Sequence, residues 1–322
     1  MASLELKTQS PAIDAKKLRM SHSLIATLIS NPDAESTARI PNDLADKLSA
    51  ELNGRKQSPN WLAEGIACDI ALSSRMTQEQ GQKILASILQ GSKIDYAIQN
   101  ADNRKKQALI ADMDSTMIDQ ECIDELAAEI GVKEKVAAIT AKAMNGEIEF
   151  ESALRERVAL LKGLPASVSQ QVIEKRITLA KGGKTLVATM KQNTAWCALV
   201  SGGFTLFTQE IATMLGFDEH HANTLEIEDG AFSGTVREPI LGAEAKVTAL
   251  QTIARQKGLT AEDFIAVGDG ANDLPMLTMA GTGIALHAKP SVAAQAKIRI
   301  DHGDLTALLY LQGYHQYEFA RV

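Results

Sequence analysis

The chain has few of the residues that support disulfides, membrane insertion or nucleic-acid binding. It has three cysteines in 322 residues and no C-x-x-C pair, which is typical of a protein in a reducing compartment. No apolar run approaches the ~20 residues of a membrane-spanning helix. The net charge of -7 gives no bulk attraction to nucleic acids or anionic membranes. The polar N-terminus also lacks the apolar stretch of a signal peptide, so we expect a cytoplasmic protein with no nucleic-acid or membrane partner.

The sequence also lacks the G-x-x-x-x-G-K-[ST] loop that binds nucleotide phosphates, so it does not indicate a P-loop enzyme. What the sequence does contain is a short apolar strand that ends in Asp112 and Asp114. Side chains alternate along a strand, so both carboxylates should point to the same side. They should lie at the carboxyl end of the strand, where open α/β sheets bind their ligands. An isolated Asp-x-Asp is more often a solvated turn, and the rest of the chain has to decide between the two.

Spacing of apolar residues divides the chain into four parts. Residues 1–20 have no usable period and are expected to form a flexible tail. Residues 21–100 follow the order βαββαβ, which predicts a small ferredoxin-like α+β domain. Residues 107–121 and 183–322 alternate strands with helices, which predicts a doubly wound, Rossmann-like parallel sheet. Residues 122–182 form four short helices that end at glycines or Asn-Gly, and this insert would cover the strand ends as a helical cap.

The N-terminal domain resembles an ACT-like domain in its topology alone. Such modules often bind amino acids or pair subunits, so the resemblance implies a homodimer through this domain. Retention of the domain for assembly or stability is at least as compatible with the sequence, because no ligand motif is present.

Polar residues follow two further strands of the predicted sheet. A Ser-Gly-Gly turn at 201–203 can offer a hydroxyl and backbone N–H groups to an oxyanion. Asp269 ends another strand, and Asp273 lies four residues later, one helical turn on. This second acidic pair suits a hard cation. Lys246 opens a helix and could face the same strand ends.

In order and spacing, these stretches resemble the motifs of the haloacid dehalogenase-like phosphatases. The matching stretches are DMDST at 112–116, SGGF at 201–204, the isolated Lys246, and GDGANDLPM at 268–276. Around the helical insert, ECIDE at 121–125, AMNG at 143–146, Phe150 and LRERV at 154–158 further resemble the phosphoserine phosphatases within that family. The resemblance covers roughly residues 107–313.

The resemblance implies a role for each of these residues in hydrolysis of a phosphate ester. Asp112 would be the nucleophile that forms an aspartyl-phosphate, and Asp114 the general acid and base. A Mg²⁺ ion would be held by Asp112, the backbone carbonyl of Asp114, and Asp269, with Asp273 in support. The phosphate would be bound by Ser201, Gly202, Gly203, Lys246 and Asn272.

The insert would select the substrate, which the resemblance identifies as O-phosphoserine at the last step of serine biosynthesis. Arg157 would bind the carboxylate, Glu121 the ammonium, and Met144 with Phe150 would form an apolar wall. A phosphatase of the same fold for phosphothreonine or phosphohomoserine is the nearest alternative. A non-catalytic amino-acid sensor is a second alternative, which the intact pair of acids at the first strand disfavours.

Overall fold

The computed structural model describes residues 23–33, 39–55 and 57–322. The flexible tail expected at 1–20 lies outside the described residues. None of the helices in the described part combines the length and the hydropathy that a membrane span would need.

The N-terminal unit has the predicted βαββαβ order. Its elements are β1 (Leu24–Ser30), α1 (Asn42–Asn53), β2 (Asn60–Ala63), β3 (Ala67–Ala71), α2 (Gln78–Ile88) and β4 (Ile94–Asn100). The strands form one antiparallel sheet in the order β2-β3-β1-β4, which is the ferredoxin-like arrangement. Thr77 caps α2 by accepting a hydrogen bond from the Gln80 amide, and the Gln80 side chain bonds back to Thr77, as a capping box does.

The two faces of this sheet pack against different partners. One face buries Leu28 and Ile70 with Leu48 of α1 and Leu85 of α2 in a core of their own. The opposite face places Ile29 in the hydrophobic core of the rest of the molecule. The N-terminal unit is therefore packed on the larger unit through a whole sheet face.

Polar contacts fix the same junction. Asp95 is 5% exposed and accepts hydrogen bonds from the backbone N–H groups of Asp301, His302 and Gly303 at 2.7–3.0 Å. Arg104 pairs with the buried Asp69 at 2.8 Å. Each buried carboxylate thus has donors, which offsets the cost of burying it.

The larger unit is built on a parallel sheet. Its elements outside the insert are β5 (Ala108–Ala111), α7 (Gly183–Gln192), β6 (Trp196–Phe204), α8 (Thr205–Leu215), β7 (Glu219–Asn223), β8 (Leu225–Glu228), β9 (Ala231–Val236), α9 (Ala243–Lys257), β10 (Phe264–Gly268), α10 (Leu274–Met279), β11 (Thr282–Leu286), α11 (Pro290–Ala293), β12 (Ile298–Ile300) and α12 (Ala307–Leu311). Six strands pair in parallel in the order β12-β11-β10-β5-β6-β7.

Helices cover both faces of this sheet, as its unbroken apolar strands require. Along β5, Leu109 and Ala111 belong to the core on one face, whereas Ala108 and Ile110 belong to the core on the other. The strand order reverses beside β5, so the ends of β5, β6 and β10 lie together at the ligand-binding edge of the sheet. The predicted doubly wound α/β fold is confirmed.

The insert after β5 contains four helices: α3 (Cys122–Ala128), α4 (Lys133–Met144), α5 (Phe150–Ala159) and α6 (Val168–Arg176). The sequence predicts that the last helix runs from Val168 to about Leu179, but it ends at Arg176, because Leu179 forms an antiparallel bridge with Ile118. The amide of Asp119 also bonds to the Thr178 carbonyl, so the two connections to the cap run side by side. The exact domain boundaries stay predictions.

Several elements of the sheet unit are absent from the sequence-based prediction, among them α7 and β7. α7 begins directly after Gly182, whose φ of 78° is favourable for glycine. From the sequence, the Gly182-Gly183 pair indicated only the end of the preceding cap helix. β7 has the sequence EHHAN, which lacks any apolar alternation, and forms because the edge of β6 is available for pairing. The Asp229-Gly230 pair predicts a two-residue hairpin turn, which β8 and β9 form, with φ of 49° and 81° at the turn, as a type I′ turn requires.

Candidate active site

The first pair of acids lies just beyond the strand that was expected to carry it. β5 ends at Ala111, and the amide of Asp112 still bonds to the Val267 carbonyl of β10 at 3.0 Å. Asp112 and Asp114 therefore occupy the turn after the strand, and simple strand alternation is not what orients them. Both nevertheless line the same pocket.

Three carboxylates converge at the ends of β5 and β10. Oxygens of Asp112, Asp269 and Asp273 all lie within 4.8 Å of one another, and the three residues are buried. Lys246 reaches into the group, with Nζ at 2.6 Å from both Asp112 Oδ1 and Asp273 Oδ1. The Asp114 side chain is outside this group, so its contribution to a metal would have to come from its backbone.

The cluster is short of positive charge. Oδ2 of Asp269 is buried without a hydrogen-bond partner, and the nearest ammonium, that of Lys289, is 3.8 Å away. Three buried carboxylates against the single buried ammonium of Lys246 leave an excess of negative charge that burial makes costly. An all-oxygen donor set of this kind fits a hard divalent cation.

The same imbalance shifts the pKa values of the group. Burial and the charge of Asp273 raise the pKa of Asp112 to about 7, although Lys246 opposes the shift. Burial, Asp273 and Asp112 raise the pKa of Asp269 well above its ordinary value. Burial alone would lower the pKa of Lys246, but Asp112 and Asp273 more than offset it, and the pKa is raised. Lys246 thus stays protonated.

Asp114 is held by donors that the carboxylate cluster does not share. Its Oδ1 accepts the backbone N–H of Cys122 at 2.7 Å, at the start of α3. Its Oδ2 accepts the Ser201 hydroxyl at 3.1 Å. Burial raises the pKa of Asp114, and the bonds from Cys122 and Ser201 oppose that shift. The two acids of the first motif therefore sit in different environments, which allows them different chemical roles.

The Ser-Gly-Gly turn at the end of β6 needs its glycines for space. A Cβ on Gly203 would lie 2.7 Å from Asp114 Oδ2, and a Cβ on Gly202 would lie 2.7 Å from the Phe150 ring. The amide of Gly203 bonds to Ser201 Oγ at 2.8 Å. Asn223 holds the turn from behind by donating to the Gly202 carbonyl.

A pocket lies between the strand ends and the cap. Phe150 closes one side by packing on Gly202, so the cap lies against the core. Residues from the sheet and from the cap line it: Asp112, Asp114, Glu121, Ile123, Thr140, Ala143, Phe150, Leu154, Arg157, Ser201, Gly202, Gly203, Phe204 and Asn272. Met144 ends α4, and its side chain lies outside the described part of the structure.

Glu121 lies at the N-terminus of α3 and faces the pocket. It accepts the Ser115 hydroxyl at 2.6 Å, and Ser115 itself has a φ of 55°. Burial and the charge of Asp114 raise the pKa of Glu121 to about 8, which the bond from Ser115 only partly opposes. A cation beside this carboxyl would favour its ionised form.

Arg157 is 5% exposed and is not turned out into solvent. Its Nε donates to the Ala153 carbonyl at 3.1 Å and its Nη1 to the Thr140 hydroxyl at 3.0 Å. Within the described residues it forms no ion pair. Sequence reasoning missed Thr140 as a residue of the pocket and Ser115 as the partner of Glu121, because a lone hydroxyl on a helix or in a turn gives no pattern to detect.

The family model of the haloacid dehalogenase-like hydrolases matches residues 109–278, slightly more than half of the chain. The chain belongs to the haloacid dehalogenase-like hydrolases. The matched range begins in β5 and ends in α10. It contains the carboxylate cluster, Lys246 and the Ser-Gly-Gly turn.

Individual proteins that resemble this chain give a more specific comparison than the family model. A phosphoserine phosphatase of Haemophilus influenzae is 45% identical over 203 residues, which are 63% of this chain and 64% of that relative. The match therefore spans less than two thirds of that relative's length. A solved structure described as a phospho-aspartyl intermediate analogue of phosphoserine phosphatase is 42% identical, with a TM-score of 0.61, over 64% of this chain and 98% of that chain.

A third comparison extends over the N-terminal unit. A haloacid dehalogenase family hydrolase of Salmonella enterica serovar Typhi is 32% identical, with a TM-score of 0.76. It covers 90% of this chain and 98% of that chain. The combination of an N-terminal sheet domain with the hydrolase core is thus shared with a solved relative.

Proposed function

We propose that this protein is a magnesium-dependent phosphatase that hydrolyses O-phosphoserine to serine and phosphate. The observation that carries the proposal is one pocket with two ends of different chemistry. At one end Asp112 lines the pocket and belongs to the carboxylate cluster with Asp269, Asp273 and Lys246. At the other end lies the buried Arg157 beside Glu121. The phosphoserine phosphatases among its relatives support the same substrate.

Asp112 is the proposed nucleophile. One carboxylate oxygen attacks the phosphorus atom, a new P–O bond forms, and the bond from phosphorus to the serine oxygen breaks. The product on the protein is an aspartyl-phosphate, an acyl phosphate that water cleaves more readily than the ester. Lys246, which touches Asp112, neutralises part of the charge that would otherwise repel the phosphate.

Asp114 is the proposed acid and base. Its raised pKa favours the protonated form, which gives its proton to the departing serine oxygen. The resulting carboxylate then takes a proton from the water that attacks phosphorus, and Asp112 leaves as a carboxylate. One residue serves both half-reactions because the second half-reaction restores the proton that the first one removes.

The cation would be held by Asp112, Asp269 and the backbone carbonyl of Asp114, with Asp273 in support. The orphaned oxygen of Asp269 and the surplus of carboxylates support this assignment. When bound, a Mg²⁺ ion supplies charge that screens the phosphate dianion from the anionic nucleophile. Ser201, Gly202, Gly203 and Asn272 would hold the remaining phosphate oxygens.

Recognition of the amino-acid part would use opposite charges in the cap. Arg157 would pair with the carboxylate and Glu121 with the ammonium, while Phe150 and Met144 would bound the short side chain. Phosphothreonine adds one methyl group and phosphohomoserine one methylene, and the wall that contains Phe150 would disfavour both.

The test is phosphate release from a panel of phosphorylated small molecules, with Mg²⁺ and with EDTA. We expect the highest kcat/KM for O-phosphoserine, with turnover lost in EDTA and restored by added Mg²⁺. Phosphothreonine, phosphohomoserine and a phosphate ester without the amine are the matched comparisons. An equal kcat/KM for the ester without the amine would contradict recognition by Glu121.

We further propose that residues 21–100 form an ACT-like domain, 107–121 with 183–322 the core, and 122–182 the cap. A homodimer would use the N-terminal domain. Since one face of its sheet is packed on the core, the contact would involve its helices or the edge strand β2. Light scattering coupled to size-exclusion chromatography tests this, and a monomer at micromolar concentration would contradict it.

A further inference from the structure

The cap holds Arg157 in an unusual way for a buried cation. Its two contacts are the Ala153 carbonyl of its own helix, α5, and the Thr140 hydroxyl of α4. Both acceptors are uncharged. Of its five N–H groups, these contacts account for two, and the residue lines the pocket.

Thr140 connects Arg157 to a third helix. The Thr140 hydroxyl donates to Asp124 Oδ1 of α3 at 2.8 Å, while it accepts from Arg157 Nη1 at 3.0 Å. The Val136 carbonyl is a second acceptor for the hydroxyl, at 3.1 Å, but an ionised carboxylate is the stronger acceptor and is closer. Thr140 itself is 3% exposed.

These contacts determine which way the O–H bond of Thr140 points. A hydroxyl has one proton, so donation to Asp124 turns its lone pairs toward Arg157. Asp124 makes no direct ion pair with Arg157 within the described residues. The carboxylate therefore acts on the guanidinium through the hydroxyl and does not occupy the N–H groups that face the pocket.

We propose that Thr140, oriented by Asp124, is a positioning residue that fixes the Arg157 guanidinium for the carboxylate of the substrate. The proposal rests on the proposed function, because it deepens the recognition of an amino-acid phosphate. The arrangement spans α3, α4 and α5, so it also fixes the relative positions of three cap helices. Fixing the planar fork of an arginine in advance reduces the entropy that binding has to overcome.

The Thr140→Val variant tests this role because valine has nearly the shape of threonine without the hydroxyl. It leaves Nη1 of Arg157 and Oδ1 of Asp124 without their partner. The assay compares kcat/KM for O-phosphoserine and for O-phosphoethanolamine, which has the same amine and phosphate but no carboxylate. We expect the ratio of the two to fall roughly tenfold in the variant, with the change mainly in KM for O-phosphoserine.

Two further variants separate positioning from packing. Thr140→Ser keeps the hydroxyl and should restore the ratio to within about twofold of the unaltered chain. Asp124→Asn keeps the shape but removes the charge, and should lower the ratio less than Thr140→Val does. Thermal unfolding of each variant checks that the cap is folded.

The outcomes that overturn the proposal are distinct from those that overturn the proposed function. A preference for O-phosphoserine in the unaltered chain that Thr140→Val leaves intact would refute the role of Thr140 alone. An equal loss in Thr140→Ser, which keeps the hydroxyl, and in Thr140→Val would show that the hydroxyl does not account for the effect, and would refute the proposal too. No preference in the unaltered chain would remove carboxylate recognition by Arg157, and the proposed function with it.

Discussion

Replacing Asp269 by asparagine should stabilise the protein in the absence of Mg²⁺ and remove most of the stabilisation that Mg²⁺ provides. In the absence of a cation, Asp269 lies within 4.8 Å of two other carboxylates. At an effective dielectric constant of about 20, each such pair costs about 3.5 kcal/mol. Proton binding and Lys246 relieve most of this, so we expect Asp269→Asn in EDTA to be more stable than the unaltered chain by about 1–3 kcal/mol.

The order of stabilities should change when Mg²⁺ is added. A cation present at 100 times its dissociation constant stabilises the folded state by about 2.7 kcal/mol, which corresponds to a rise in Tm of roughly 5–10 °C for a unit of this size. The unaltered chain should show this rise. Asp269→Asn, which lacks one ligand and one charge, should show little of it.

The assay is thermal unfolding at neutral pH, with EDTA and with millimolar Mg²⁺. Asp46→Asn is the matched control, because Asp46 is an exposed carboxylate on α1 and its loss should change neither curve. A Tm of the unaltered chain that does not depend on Mg²⁺ would refute the cation site. A variant that is less stable than the unaltered chain in EDTA would refute the account of charge repulsion.

Three other results are expected. Asp112→Asn should lose kcat by orders of magnitude while Tm stays within a few degrees, and unchanged turnover would exclude Asp112 as nucleophile. The pKa of Glu121 is raised to about 8, so its carboxyl is protonated at neutral pH and must release that proton when an ammonium binds. The kcat/KM for O-phosphoserine should therefore fall as the pH drops below about 8. The Glu121→Gln variant should lack this pH dependence. Asp95→Ala should lower the free energy of unfolding by about 2 kcal/mol through three lost backbone bonds, and denaturant titration would contradict the junction if it found no change.

Most of the fold could be predicted because local patterns and tertiary packing agree. The apolar run 109–111 before Asp112 and the Asp229-Gly230 turn each have one favourable structure, and both were found. The strand β7 could not be predicted, because its five residues take their conformation from pairing with β6 and not from their own propensities. The short α6 likewise depends on Leu179, which pairs with Ile118 at the base of the cap.

The candidate site, like the fold, was predictable where sequence motifs define it and unpredictable where tertiary packing does. The carboxylates and Lys246 belong to motifs with fixed spacing, and the topology of the sheet brings them together as expected. The Asp114 side chain lies outside the carboxylate cluster and accepts hydrogen bonds from the Ser201 hydroxyl and the Cys122 amide. Strand alternation could not reveal this arrangement. Thr140 belongs to no motif, and its contact with Arg157 depends on how α4 packs on α5.

The central claim is that Asp112 carries the phosphoryl group during turnover, and it can be tested on the protein itself. The protein is mixed with O-phosphoserine and Mg²⁺, quenched rapidly in acid, digested and examined by mass spectrometry. The account predicts one added phosphoryl group on the peptide that contains Asp112, and none in Asp112→Asn. Steady turnover with no phosphorylated peptide, or with the group on another residue, would contradict it.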